Sequence, residues 1–235
     1  METKREIRKR ILSKRDLMTE EQIMDKSQAI FDRLCLLPQY KRAKIVMAYM
    51  SYRNEVSTLN FLERAVKDGK RILLPRVERI REEIENASKA MPKNSLAVKL
   101  QNVKEVKLKN ATGTKTAITI KTDPDTSEKV LHIYEIHDIE KDLEPGFKGI
   151  LEPIGNPADR IEPVEIDLAV IPGVVFDLQK RRIGYGGGFY DKFMPLLRQD
   201  CCKAGVAFHM QLVNEIPWEN FDVPVDLVIT ENVII

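Results

Sequence analysis

The sequence predicts an α/β fold in which a mainly parallel central sheet is flanked by helices and carries a small β-rich insertion. Residues 43–77 contain an apolar run, a helical pattern closed by Gly69 and a second apolar run, which is the spacing of a βαβ unit. Residues 166–177 form a longer apolar run that suits a strand covered on both faces in the middle of a parallel sheet. Residues 79–142 are instead rich in Lys, Glu, Asn and Thr. We therefore expect a single domain, residues 1–235, with an insertion at about 79–142.

Two helices are predicted before the first strand. Residues 4–17 place Ile7 and Ile11 on one face of an amphipathic helix. Thr19 followed by Gln22 is a capping-box pattern, which predicts the start of the second helix.

Capping and strand signals also bound the βαβ unit. Residues 43–51 predict a buried strand and residues 71–77 the next one. Between them, Ser57 and Thr58 are suited to capping a helix, because their hydroxyls can accept hydrogen bonds from the free N–H groups of its first turn. Further elements are predicted as a strand at 129–136, a helix at 190–198 and strands at 203–210 and 225–232.

The insertion predicts an antiparallel hairpin layer rather than a disordered tract. Residues 97–110 and 114–122 alternate polar and apolar side chains, as exposed strands do. A helix is predicted at 81–91 and a turn-rich link at 123–129. Acidic residues among the lysines favour a solvated face over an RNA-binding one.

Composition excludes several classes of protein. No run of about 18 apolar residues exists, so we expect no membrane span. The charged start "METKREIRKR" is followed by no apolar segment, which predicts a cytoplasmic rather than a secreted protein. Cys35, Cys201 and Cys202 have the spacing of neither a disulfide framework nor a metal site. The net charge of +2 predicts no general affinity for nucleic acid.

The segment "RRIGYGGGFYDKF", residues 181–193, predicts a phosphate-binding loop. It holds four of the eleven glycines of the chain at Gly184, Gly186, Gly187 and Gly188. Glycine permits positive φ, so that successive backbone N–H groups can converge on an anion near a helix start. Arg181 and Arg182 bring guanidinium groups to the same region. Asp191 would repel phosphates unless a cation lies between them, and Mg²⁺ suits that place.

Simpler interpretations of these residues remain open. A glycine run also forms a plain tight turn, and an Asp in the first turn of a helix also interacts with the helix dipole. The expected position after a strand and before a helix favours phosphate binding. The loop matches neither G-x-x-x-x-G-K-[ST] nor G-x-G-x-x-G with its distant acid, which disfavours the ordinary nucleotide-binding classes.

The segment "DLAVIPGVVFDLQKRRIGYGGGFYDKF" resembles the signature of the 5-formyltetrahydrofolate cyclo-ligase family, also called methenyltetrahydrofolate synthetases. Matching pieces follow the order of the family along the chain: "KREIRKR", "YMSYRNEV", "LLPRV", "GILEP", "GVAFHMQ", "IPWENFDVPVD" and "VITE". The resemblance implies a NagB/RpiA/CoA-transferase-like α/β fold. It also implies a cytoplasmic monomer or weak homodimer that binds small molecules and neither nucleic acid nor membrane.

The resemblance further implies an ATP-dependent ring closure. In that family the formyl oxygen of 5-formyltetrahydrofolate takes the γ-phosphoryl group of ATP, a folate nitrogen attacks the activated carbon, and phosphate leaves to give 5,10-methenyltetrahydrofolate. ATP is then a co-substrate and Mg²⁺ the expected cofactor. The physical need for activation is that an amide oxygen is a poor leaving group, so the protein has to align two substrates and neutralise charge on the moving phosphoryl group.

Site residues are carried over position by position, and no catalytic residue is assigned with certainty. The resemblance implies ATP contacts at Lys4, Arg8, Arg182, Gly184, Gly186, Gly187, Gly188, Phe189 and Tyr190. It implies folate contacts at Met50, Tyr52, Glu55, Tyr185 and Phe189. It implies magnesium ligands at Asp191 and Asp222.

Each of these positions has a structural alternative. Without the resemblance, a solvated helix face would be the better interpretation of Lys4 and Arg8. For Glu55, a folate contact and a contribution to the dipole of the following helix would be nearly equal alternatives. Asp222 would be taken as a turn residue, and Met50 and Tyr52 could equally be core.

The chain departs from the family at three places. Phe189 stands where the family commonly has the first tyrosine of a Tyr-Tyr-Asp run, so its ring can stack but cannot hydrogen-bond. Gly187 stands where some members have lysine, and the insertion borders the expected folate site.

Two other functions are therefore compatible with the sequence: a repurposed relative that binds a nucleotide or another pterin, and a binding module whose insertion contacts RNA or protein. Deletion of residues 80–140 would separate an enzyme with a decorative insertion from a binding module.

Overall fold

The computed structural model describes residues 2–79, 106–109, 115–118 and 129–235. The chain forms two compact units: Met1–Val77 with Leu131–Ile235, and Glu78–Val130. The first unit has the predicted α/β fold. In the part of the chain that the structure describes, no helix is both long enough and apolar enough to cross a membrane.

The helices in chain order are α1 Lys4–Arg15, α2 Glu20–Leu36, α3 Pro38–Arg42, α4 Leu59–Lys67 and α5 Phe189–Phe193. The first seven strands are β1 Ile45–Met47, β2 Arg71–Arg79, β3 Val106–Lys109, β4 Lys115–Ile118, β5 Lys129–Ile136, β6 Leu143–Pro145 and β7 Leu151–Pro153. The remaining strands are β8 Arg160–Ile161, β9 Leu168–Pro172, β10 Val175–Asp177, β11 Arg182–Ile183, β12 Cys202–Val206, β13 Leu212–Val213 and β14 Leu227–Ile229.

The central sheet is mainly parallel, as predicted. Over the described residues its strand order is β14-β12-β9-β1-β2-β5-β8. The four pairs from β14 to β2 are parallel, and β8 pairs antiparallel with β5 at the edge. The βαβ unit β1-α4-β2 and the central position of β9 are therefore confirmed.

Both faces of the central sheet are covered by apolar cores. Along β9, Leu168 and Val170 belong to the core formed with α2 and α4, whereas Ala169 and Ile171 belong to the core on the other side. This alternation follows from the two-residue period of a strand. Both faces of β9 are therefore shielded from water, as its unbroken apolar sequence predicted.

The prediction of one long strand over 166–177 is wrong. The chain leaves the central sheet after β9, and β10 pairs antiparallel with β11 and parallel with β13 in a small second sheet. Gly173 lies at the break, where a Cβ atom would stand 2.5 Å from the Phe176 ring. The bend therefore depends on a close approach that only glycine permits.

Helix α1 packs on this second sheet. Ile7 and Ile11 are buried against Val174, Val175 and Ile183. The predicted inner face of α1 is thus confirmed, and the packing brings Arg8, which flanks that face, beside the loop that follows β11.

Capping was predicted correctly for α2 and wrongly for α4. Thr19 and Gln22 form a capping box, whereas no side-chain hydrogen bond caps α4. Thr58 is fully buried, and its hydroxyl donates instead to the carbonyl oxygen of Tyr49 at 2.7 Å.

The helix predicted at 190–198 is shorter than expected. It ends at Phe193, because α5 passes into a 3₁₀ turn at Met194–Leu196.

In the second unit, β3 and β4 form an antiparallel pair. This confirms the hairpin predicted within 97–110 and 114–122. The helix predicted at 81–91 and the link predicted at 123–129, apart from the last residue of that link, lie outside the described residues.

Candidate active site

The glycine loop, residues 184–188, runs from β11 to the start of α5. It therefore follows a short strand of the second sheet and not the central strand β9. Gly186 and Gly188 have φ angles of +105° and +64°, which side chains with a Cβ rarely adopt. Two of the four glycines are thus required by the backbone of the loop itself.

Helix α1 holds the glycine loop through its basic face. The Nε atom of Arg8 donates a 2.7 Å hydrogen bond to the carbonyl oxygen of Gly184. One turn earlier, the Nζ atom of Lys4 lies 2.5 Å from Asp222 and 2.6 Å from Glu219. Burial alone would lower the pKa of Lys4, but its bonds to these two carboxylates raise it. Helix α1 therefore contacts the loop through Arg8 and the turn at 219–222 through Lys4, which remains cationic there.

Arg182 and Asp191 form an ion pair beneath the loop. The Nη2 atom of Arg182 lies 2.7 Å from the Oδ1 atom of Asp191. The Arg182 side chain is 3% exposed, and its guanidinium carbon lies 5.6 Å from the centre of the Tyr190 ring. A Cβ atom on Gly184 would stand 2.8 Å from Nη1 of Arg182. The glycine at 184 thus gives this buried guanidinium room.

Asp191 and Asp222, the two predicted magnesium ligands, are each paired with a cation. Within the described residues, no group of three His, Cys, Asp or Glu side chains is arranged as a metal site. A binding site for Mg²⁺ needs only one or two carboxylates when substrate phosphates supply further oxygens. The donor chemistry of these two side chains therefore fits Mg²⁺ bound together with phosphates.

Glu55 is a buried acid beyond the end of β1. It is 7% exposed, and its Oε2 atom accepts a 2.9 Å hydrogen bond from the backbone N–H of Tyr52. Burial raises the pKa of Glu55, whereas the Tyr52 N–H, the Arg15 charge and a hydrogen bond with Tyr185 oppose the rise. A carboxylate held in this way can bind a polar N–H group of a ligand.

Three tyrosines surround this acid. Burial, followed by the charge of Glu55, raises the pKa of Tyr49, Tyr185 and Tyr190. Their hydroxyls therefore stay neutral at physiological pH and act as hydrogen-bonding groups.

The remaining predicted folate contacts lie near this cluster or in the core. Met50 is half-buried and packs against the core on the α2 and α4 side. Tyr52 is half-buried, with the Arg53 guanidinium 5.0 Å from its ring centre. Phe189 meets Phe147 of the β6-β7 hairpin edge to face, with ring centres 5.9 Å apart.

The 5-formyltetrahydrofolate cyclo-ligase family model matches residues 1–123 and 117–231. The chain belongs to this family. Among curated relatives, the 5-formyltetrahydrofolate cyclo-ligase of Escherichia coli strain K12 is 23% identical over 221 residues, which are 94% of this chain and 96% of that protein. The probable 5-formyltetrahydrofolate cyclo-ligase of Schizosaccharomyces pombe is 22% identical over 91% of this chain and 87% of that protein.

Solved structures of cyclo-ligases share the fold. The NMR structure of Aquifex aeolicus 5,10-methenyltetrahydrofolate synthetase has a TM-score of 0.70 and 26% identity, covering 98% of this chain and 91% of that one. The Mycoplasma pneumoniae 5,10-methenyltetrahydrofolate synthetase has a TM-score of 0.62 and 20% identity, covering 97% and 98%. The predicted family and fold class are therefore confirmed.

Two residues that lie beside the candidate site were missed by the sequence interpretation. Arg15 lies seven residues after Arg8 and eleven after Lys4, which is the spacing of one helix face, so the helical pattern contained a signal for it. Phe147 had no such signal, because its contact with Phe189 depends on how the β6-β7 hairpin folds over the loop.

Proposed function

We propose that this chain catalyses the ATP-dependent conversion of 5-formyltetrahydrofolate to 5,10-methenyltetrahydrofolate, with release of ADP and phosphate. The observation that carries the proposal is the match to the cyclo-ligase family along almost the whole chain. Arg8 and Arg182 lie against the glycine loop, and Lys4 lies one helical turn before Arg8. This group of cations supports the proposal, because the chemistry requires cations at a moving phosphoryl group.

The ATP phosphates are assigned to the glycine loop and its cations. Backbone N–H groups of a loop with positive φ angles form a concave anion site. Arg8 and Arg182 add planar donors suited to phosphate oxygens, and Lys4 adds a compact charge. Phe189 and Tyr190, the first two residues of α5, form the border of this phosphate site after the glycine loop.

Asp191 and Asp222 would hold Mg²⁺ together with the phosphates. When bound, the ion neutralises charge on the phosphate oxygens. Before the ion binds, Asp191 is paired with Arg182 and Asp222 with Lys4, so that neither carboxylate is an uncompensated charge.

The bond changes define what the protein has to do. The formyl oxygen forms a bond to the γ-phosphorus, while the bond from that phosphorus to the bridging oxygen of ADP breaks. The neighbouring folate nitrogen then bonds to the formyl carbon and loses its proton to solvent, and the carbon–oxygen bond breaks to release phosphate. Lys4, Arg8 and Arg182 stabilise the charge that moves from ATP to this phosphate.

The folate is assigned to the side of the site formed by Glu55. Its carboxylate accepts from the pterin N–H groups, and Tyr185 supplies a neutral hydroxyl. Phe189, with Phe147 behind it, offers an aromatic face for the pterin ring. Met50 and Tyr52 complete the walls.

We also infer a cytoplasmic enzyme that acts on small molecules as a monomer or weak homodimer. The free thiols of Cys35, Cys201 and Cys202 suit a reducing compartment.

The experiment follows the absorbance band of methenyl-folate after the protein is mixed with 5-formyltetrahydrofolate and magnesium, with and without ATP. We expect growth of the band only with ATP, and its loss in Asp191→Ala. A flat trace from folded wild-type protein would contradict the proposal and favour a repurposed relative.

A further inference from the structure

A hydrogen bond joins the end of α1 to the glycine loop, beside the segment that follows β1. Arg15, in the last turn of α1, is 2% exposed, and its Nη2 atom donates to the hydroxyl oxygen of Tyr185. Tyr185 also interacts with Glu55, because the charge of Glu55 raises the pKa of Tyr185 and Tyr185 lowers that of Glu55. A cation, a phenol and an acid from three distant parts of the sequence are thus brought together.

Arg15 is not satisfied by the fold alone. Its Nε atom is buried and has no hydrogen-bond partner within the described part of the chain. Burying a guanidinium with an unused donor costs free energy. The Nε–H of Arg15 is therefore a donor that the contacts within the described residues leave unused.

Arg15 and Glu55 border the same small crevice at the carboxyl edge of the central sheet. The other residues that border it are Tyr49, Val56, Pro172, Gly173, Val206 and Gln211. Tyr49 follows β1, Pro172 ends β9 and Val206 ends β12. The carboxyl ends of neighbouring parallel strands are where open α/β sheets bind their ligands.

Among the groups that face Glu55, Arg15 supplies the positive charge. The others are the phenols of Tyr49, Tyr185 and Tyr190 and the backbone N–H of Tyr52. The burial of Glu55 favours its neutral acid form, and the neutral phenols supply no charge against that effect. Removal of Arg15 therefore leaves an acid that protonates more readily and has lost part of its orientation.

We propose that Arg15 is a positioning residue that acts through Tyr185. It holds Glu55 as an oriented carboxylate at the folate side of the site and ties that carboxylate to the loop assigned to ATP. The inference rests on the proposed function, since it takes Glu55 as a folate contact. It adds a residue that touches neither substrate and on which folate binding nevertheless depends.

The test measures binding of 5-formyltetrahydrofolate by calorimetry without ATP, from roughly pH 5 to 9, a range that spans the titration of a buried carboxyl. Arg15→Met is expected to raise the folate Kd at neutral pH by roughly tenfold, as loss of a hydrogen bond to a charged group does. It is also expected to move the midpoint of the acid-side loss of binding upward by about one pH unit. Arg15→Lys keeps the charge, so it should restore the midpoint more fully than the affinity. Arg10→Met, which removes an exposed arginine from the same helix, is the matched control and should leave both unchanged.

Two outcomes overturn the inference. If folded Arg15→Met binds folate with the wild-type Kd and midpoint, Arg15 has no positioning role. If Arg15→Met does not fold, Tyr185→Phe decides, because Tyr185 is 46% exposed; a wild-type Kd in that variant removes the link. The proposed function is judged separately, on the ATP-dependent turnover of the wild-type protein in the same preparation.

Discussion

The Nε atom of Arg8 lies 2.7 Å from the carbonyl oxygen of Gly184, so the first helix of the chain fixes the start of a loop 176 residues later. The contact uses the Nε atom of the guanidinium. It brings residues far apart in sequence together at the loop that we assign to the ATP phosphates.

Arg8→Met is expected to weaken ATP binding by roughly tenfold to a hundredfold, because it removes both the loop contact and a charged phosphate donor. Calorimetric titration with a non-hydrolysable ATP analogue and magnesium measures the change. Arg5→Met is the control, since Arg5 is exposed on the same helix. Equal affinities of the two variants would exclude Arg8 from the phosphate site.

Asp191→Asn is expected to destabilise the fold as well as weaken ATP binding. Arg182 is buried and loses its carboxylate partner, while Asp191 is 23% exposed, so we expect about 2 kcal/mol of unfolding free energy to be lost. Urea denaturation measures this. Asp200→Asn breaks a pair with Arg198 in which Asp200 is 80% exposed, and this control should cost less than about 1 kcal/mol. Similar losses of unfolding free energy in both variants would show that the buried pair stabilises the fold no more than the exposed pair does.

Glu219→Gln and Asp222→Asn are expected to change ATP binding in opposite directions. Glu219 is half exposed and competes with phosphate for Lys4, so its removal should tighten binding by roughly twofold to fivefold. Asp222 has a 9% exposed side chain and is a proposed magnesium ligand, so its loss should weaken the binding of ATP with magnesium. Titrations with and without magnesium separate the two effects. A tightening in Asp222→Asn would rule out the metal assignment.

Gly173→Ala is expected to destabilise the protein by about 2 kcal/mol, because overpacking of a tight contact costs this much. The added methyl group would meet the Phe176 ring at 2.5 Å. Thermal unfolding followed by circular dichroism gives the shift in Tm. Ser13→Ala, at an exposed position of α1, is the control, and an equal Tm in both variants would mean that the bend is not under steric constraint.

Local patterns predicted the elements that local interactions determine. The Thr19 and Gln22 capping box and the β1-α4-β2 unit were correct because spacing along the chain sets them. The bend at Gly173 and the hydrogen bond of Thr58 were not foreseen, since the first depends on the conformation of the Phe176 side chain and the second on how the chain folds back to the carbonyl oxygen of Tyr49.

The candidate site shows the same division. The glycine loop and its arginines are contiguous, so the sequence indicated them directly. The partners of Lys4 and Arg15 come from the turn at 219–222 and from Tyr185, and no local pattern relates those segments. The magnesium, ATP and folate assignments stay predictions of the family resemblance and of the proposed chemistry.

The proposed mechanism requires that the formyl oxygen is phosphorylated before the ring closes, and transfer of an oxygen isotope from substrate to phosphate tests this order. The protein is incubated with ATP, magnesium and 5-formyltetrahydrofolate carrying ¹⁸O in the formyl group, and the released phosphate is analysed by mass spectrometry. We predict one ¹⁸O atom in each phosphate formed with methenyl-folate. Methenyl-folate formed together with unlabelled phosphate would contradict the account.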